Sequence, residues 1–107
     1  MSKNELYALL SARFIFKKSV VIVNNITGKK IQGKELNSYI IKESTDSLEV
    51  KIPEENIYID LTKDRNMVML FDYSSKKFID VEYISKNKLK LTDKSAESSY
   101  QFSVISA

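Results

Sequence analysis

A chain of 107 residues that is 43% hydrophobic and 29% charged is long enough to bury one hydrophobic core and too apolar to remain unfolded. Cysteine and histidine are absent, which excludes disulfides, thiolate and imidazole metal sites, thiol nucleophiles and histidine-based acyl transfer. The net charge of +3 is too small to point to nucleic acid by itself, so the distribution of charge along the chain carries more information than its sum.

The chain opens with a helix signal over about residues 2–12. Ser2 followed three residues later by Glu5 matches a capping box, and Leu6, Leu9 and Leu10 form a narrow apolar stripe at helical spacing. A helix this short needs a surface to lie on, so it is expected to pack against a sheet or plug one end of a barrel. Apolar runs such as Val20–Val23 are far too short to cross a bilayer or to act as a secretory h-region, and a cytoplasmic location is expected.

From Arg13 the period becomes two, with Phe14 and Phe16 on one face. Val20–Val23 is apolar on both parities and predicts a strand covered on both sides; Asn24-Asn25 and Thr27-Gly28 turn it into residues 29–33, the first hairpin. Tyr39-Ile40-Ile41 centres the next strand, and Ser44-Thr45-Asp46 is a turn. The clearest period-two order runs from Ser47 to Leu61: Leu48, Val50 and Ile52, then Ile57, Ile59 and Leu61, with Pro53-Glu54-Glu55-Asn56 as the loop between two antiparallel neighbours.

Thr62 to Asn66 is a polar turn in this reading, and Met67–Phe71 is apolar on both faces. Residues 73–76 turn into a strand over 78–84, and Ser85-Lys86-Asn87 turns into Leu89 and Leu91. A polar loop over 93–99 leads to a last strand with Tyr100, Phe102 and Val104 on one face. The whole predicts a mainly β single domain over 1–107: an antiparallel meander of about eight short strands forming a small barrel or sandwich, with one short N-terminal helix. Crossover helices are lacking, so a parallel βαβ arrangement is excluded.

The succession of short helix, aromatic strand and hairpins resembles lipocalin-like small barrels in architecture only. Where that family carries Gly-x-Trp this chain has Leu10-Ser11-Ala12-Arg13-Phe14, and it contains no Trp. The resemblance implies a small-molecule binder in a closed barrel, with Met67, Met69, Phe71 and Phe102 around an apolar cavity.

For chemistry, carboxylates are the only strong bases left. Asp60, Asp80 and Glu82 fall on outward faces of strands, where an acid ordinarily keeps a sheet soluble and its edges unpaired. Asp64 and Asn66 lack the Gly and the distal Glu of a calcium loop, no Ser sits in a nucleophile elbow, and Gly28 and Gly33 are too few for a phosphate loop. The chain therefore reads as non-catalytic, with neither metal nor cofactor expected.

Locally the charge is two-sided. Residues 13–34 hold Arg13, Lys17, Lys18, Lys29, Lys30 and Lys34 and no acid, whereas acids outnumber bases over 54–82. The basic hairpin, joined by Lys86, Lys88 and Lys90 and by Phe14, Phe16 and Tyr39, would suit a phosphate backbone. The stronger expectation is a protein partner. The composition resembles that of small inhibitors and regulators of phage or mobile-element type, with Tyr58, Asp60, Asp64, Asp72 and Tyr73 as the contact set, because Tyr is enriched in hot spots and acids imitate nucleic acid. An exposed sheet edge also offers a route to a homodimer.

Overall fold

Ser2 starts the helix as its sequence demands. The hydroxyl of Ser2 accepts the Glu5 backbone N–H at 3.2 Å while the Glu5 carboxylate accepts the Ser2 N–H at 2.9 Å, so two orphan donors of the first turn are satisfied. The helix α1 spans Lys3–Phe16 and ends at Lys17 in the left-handed region (φ 58°). It thus runs past residue 12 and takes in Arg13, Phe14 and Phe16, which period two had placed on a strand. Tyr7, Leu10 and Phe14 recur at helical spacing and are all buried, and that burial outweighs the modest helix propensity of the Phe-Ile-Phe end.

The computed structural model describes residues 1–65, 67–85 and 87–105. The described residues form α1 and nine strands: β1 Val21–Asn24, β2 Lys30–Gln32, β3 Ile40–Glu43, β4 Ser47–Ile52, β5 Ile57–Asp64, β6 Met67–Asp72, β7 Lys77–Ser85, β8 Lys88–Asp93 and β9 Ser98–Ile105. All belong to one antiparallel sheet in the order β2-β1-β9-β8-β7-β6-β5-β4-β3. From β3 to β9 the chain is an unbroken meander, and the β1–β2 hairpin is added beside β9 through pairs such as Ile22 with Val104. The expected turns over 62–66 and 85–87 include Asn66 and Lys86, which lie outside the described residues; Thr62, Lys63 and Asp64 belong to β5.

The sheet does not close into a barrel, and β2 and β3 are its edges. Nine strands laid flat would span about 38 Å at ~4.8 Å per strand, yet the molecule measures 30 × 29 × 28 Å. The sheet therefore curls, and it curls around α1. Its inward row, including Leu48, Ile59, Leu70, Val81, Leu91 and Phe102, meets a helix that is buried without a break from Glu5 to Ala12. A helix buried all round is a core element rather than a surface one. Ala8, Ser11 and Ala12 keep its backbone close to the sheet, and the Ser11 hydroxyl donates to the Tyr7 carbonyl at 2.7 Å.

The two edge strands are consecutive in the chain, joined through Gly33 and a 3-10 helix, Lys34–Tyr39. Arg13 ties α1 to this junction. Its guanidinium donates to Glu43 at 2.8 and 3.1 Å and to the Asn37 side-chain oxygen at 2.9 Å. Bidentate geometry gives this partly exposed pair more than the usual surface value, and Arg13→Ala is expected to cost about 1 kcal/mol. Urea unfolding checks this as a lower midpoint with an unchanged m-value.

Two runs that are apolar on both parities are covered on one side only. In β1, Ile22 is buried while Val21 and Val23 are half-exposed, and in β6, Val68 and Leu70 point inward while Met69 and Phe71 lie half-buried on the outside. Among the described residues, α1 with Leu36 of the 3-10 helix covers the sheet, on its concave face.

Candidate functional site

The outer face of β4–β7 carries the densest group of aromatic side chains. Cross-strand register places Glu49, Asp60, Phe71 and Phe78 in one row across the four strands, and Lys51 opposite Tyr58 in the next. Tyr73, just past β6, donates its backbone N–H to the Tyr58 carbonyl at 2.9 Å, which brings its ring beside Tyr58. Ring centroids lie 4.6 Å apart for Tyr58–Tyr73, 4.6 Å for Phe71–Tyr73 and 4.5 Å for Phe71–Phe78. These are favourable offset and edge-on contacts that hold the cluster together without a second layer.

Two phenols are tied to two carboxylates. The Tyr73 hydroxyl donates to Asp60 Oδ2 at 2.6 Å, and the Tyr58 hydroxyl donates to Glu49 at 3.1 Å. The bond to Asp60, followed by partial desolvation, pushes the Tyr73 phenol up to about 12. The bond to Glu49 likewise raises that of Tyr58. Both rings therefore stay neutral hydrogen-bond donors across the physiological range. The other Asp60 oxygen, Oδ1, is buried and has no hydrogen-bond partner among the described residues. Beside it lies a shallow hollow of about 340 Å³ lined by Asp60, Thr62, Met69, Leu70, Phe71, Tyr73 and Phe78.

Of the residues singled out from the sequence as partner contacts, Tyr58, Asp60 and Tyr73 are thus brought together. Asp64 shares their face but sits at the far end of β5, about 20 Å from Tyr58 at ~3.3 Å per residue. Asp72 is not on this surface. It faces inward with no exposure, and its carboxylate accepts Lys3 Nζ at 2.8 Å, Ser74 N–H at 3.0 Å, Ser74 Oγ at 2.6 Å and the Tyr7 hydroxyl. It shares the parity of Leu70 and Val68, and that parity is the signal that separates it from Phe71 and Tyr73. Phe71, Phe78 and Glu49, which sequence reasoning passed over as contacts, are the remaining members of the cluster.

The basic residues of 13–34 do not form one hairpin face. Arg13 lies on α1 and is neutralised by Glu43. Lys17 donates to the carbonyls of Ser44 and Thr45 at 3.3 and 3.1 Å and lies 4.3 Å over the Phe14 ring. Lys18, Lys29, Lys30 and Lys34 are exposed. Lys29 acts on Glu5 in the first turn of α1, whereas Lys17 caps its last turn, so a helix about 21 Å long separates them. Phe14 is buried, and Phe16 packs edge-on against Tyr83 at 5.7 Å. Lys86 lies outside the described residues.

The interior that a ligand-carrying barrel would leave open holds α1 instead. Phe102 is in the core, while Met67, Met69 and Phe71 face outward, so the four do not line a common cavity. A hollow of about 380 Å³ remains between the end of α1 and the inner face of β5–β7, bounded by Phe14, Ile15, Val68, Val81 and Tyr83 with Lys17 and Lys63 at its rim.

No helix among the described residues is long and apolar enough to cross a membrane. Comparison of the chain with protein-family models, with curated proteins and with solved structures finds no match.

Proposed function

We propose that the chain is a cytoplasmic, non-catalytic binding protein, an inhibitor or regulator that docks a protein partner on the outer face of β4–β7. The observation that carries this reading is the aromatic cluster on the solvent side of the sheet, where Phe78 is 52% and Tyr73 46% exposed. Aromatic side chains with a polar tip, held by their own packing, bind at low entropic cost and recur as interface hot spots. Glu49, Asp60 and Asp80 on the same face supply a polar surround. The curled sheet around α1 acts in this proposal as an incompletely closed barrel whose rigidity fixes the platform.

The edges are less suited to docking. β2 is three residues long with Lys30 and Gln32 exposed, and β3 carries an irregularity between Ile40 and Lys42, both features that discourage strand addition.

The test is capture from a lysate of the native host at moderate salt with nuclease present, using the wild type and Phe78→Asp in parallel. A discrete protein retained by the wild type and weakened at least tenfold by Phe78→Asp is the expected result. Equal recovery with both proteins, or only nuclease-sensitive material, would overturn it. The substitution removes the Phe71–Phe78 ring contact and adds an acid on the face of Asp60 and Asp80, so it is expected to cost about 1–2 kcal/mol, and urea unfolding of the variant checks that it remains folded under the conditions of capture.

A further inference from the structure

The hollow beside Asp60 is chemically one-sided. Its walls are the rings of Phe71, Phe78 and Tyr73 and the side chain of Met69, and its only charged lining residue is Asp60. Across the strands, Phe71 stands directly between Asp60 and Phe78, so the acid and the exposed ring lie on either side of one aromatic face. The neighbouring acid on this face, Asp80, is already paired with Lys94 at 3.3 Å. Asp60 has no cation within salt-bridge distance among the described residues; its one side-chain donor is the Tyr73 hydroxyl.

Two costs are left standing at this spot in the free protein. A buried carboxylate oxygen without a donor forfeits its hydration and recovers nothing for it. Phe78 meanwhile keeps half its surface in water. A group that removes both must carry N–H donors on a positive charge and be flat enough to lie along an aromatic face. A guanidinium meets both demands, since it stacks on rings and donates in a fork to a carboxylate. An ammonium satisfies the charge but not the plane.

We propose that the hollow receives an arginine side chain presented by the protein partner, with its guanidinium stacked on Phe71 and Phe78 and donating to Asp60 Oδ1. This rests on the outer face being the docking surface and specifies what that face reads. Tyr73 acts as a positioning residue: its hydroxyl holds Oδ2 and so keeps the carboxylate aimed.

The experiment is an NMR titration of the ¹⁵N-labelled full chain with the blocked tripeptide acetyl-Gly-Arg-Gly-amide and with its citrulline counterpart, which keeps the shape and loses the charge. Saturable shifts at the amides of Asp60, Phe71 and Phe78 with the arginine peptide, at least tenfold weaker with citrulline and in Asp60→Asn, are expected. The same spectra show whether Asp60→Asn keeps its fold, and Phe78→Ala supplies a second variant that leaves the carboxylate in place and is expected to weaken binding as well. Absent shifts, equal shifts with citrulline, or shifts that persist unchanged in Asp60→Asn would overturn the proposal. A titration that fails while Phe78→Asp still abolishes capture leaves a docking face that does not read arginine. One that succeeds without any captured protein places the failure in the partner reading instead.

Discussion

Asp72→Ala is expected to lower the unfolding free energy by about 3 kcal/mol, because it leaves a buried hydroxyl without an acceptor and releases a turn. Burial alone would raise the Asp72 carboxyl, but the Lys3 ammonium, the Ser74 donors and the Tyr7 hydroxyl outweigh it and hold the group well below the usual carboxylate range. Burial, with the bond to Asp72, pushes the Tyr7 phenol up in turn. With the folded value depressed, the stabilisation is complete above the unfolded value near 4 and is lost as pH falls below it. Urea unfolding at pH 7 and pH 3 checks both parts. The gap between wild type and variant should narrow at the lower pH, and a difference below about 1 kcal/mol at pH 7 would refute this account of the Lys3–Tyr7–Asp72–Ser74 network.

Leu10→Ala is expected to cost about as much, roughly 3 kcal/mol, through the cavity it opens where the helix meets the sheet. Leu10 is fully buried, and the small residues Ala8, Ser11 and Ala12 beside it hold no spare volume with which to refill the space. For a domain of this size such a loss corresponds to a fall in Tm on the order of 10 °C or more. Ile26→Ala is the control, since Ile26 sits 86% exposed at the tip of the β1–β2 hairpin and should change stability by less than about 0.5 kcal/mol. Thermal unfolding of the pair distinguishes a helix that is the core from one that merely lies on the sheet: in the second case both substitutions would be mild.

A repeated turn was within reach of sequence reasoning. Asp72-Tyr73-Ser74 and Asp93-Lys94-Ser95 end β6 and β8 in the same way, each Asp taking the N–H and hydroxyl of the Ser two residues on. Lys76 and Glu97, four residues after each Asp, are both left-handed, with φ 56° and 52°. Asn56 repeats the geometry four residues after Ile52, with φ 54°. Side-chain capping by Asp at a strand end is local chemistry, so it can be read from neighbours in the chain.

Local order was legible for the same reason. The Ser2–Glu5 box, the alternation of β4 and β5 and the breaks at 44–46, 53–56 and 73–76 depend on residues a few positions apart, and the chain alone determined them together with the mainly β, antiparallel character of the domain. What lies across the chain was decided only in three dimensions. Whether Met69 and Phe71 face a second layer or water, whether Asp72 meets a partner or Lys3, and whether Arg13 joins a basic face or Glu43 turns on which distant segment arrives opposite them. The curl of the sheet around α1 made that choice. It gave the single helix to the concave face, drew Asp72 in with it, and left the aromatic residues of the convex face to pack against one another, because one helix can dry only one side of a sheet.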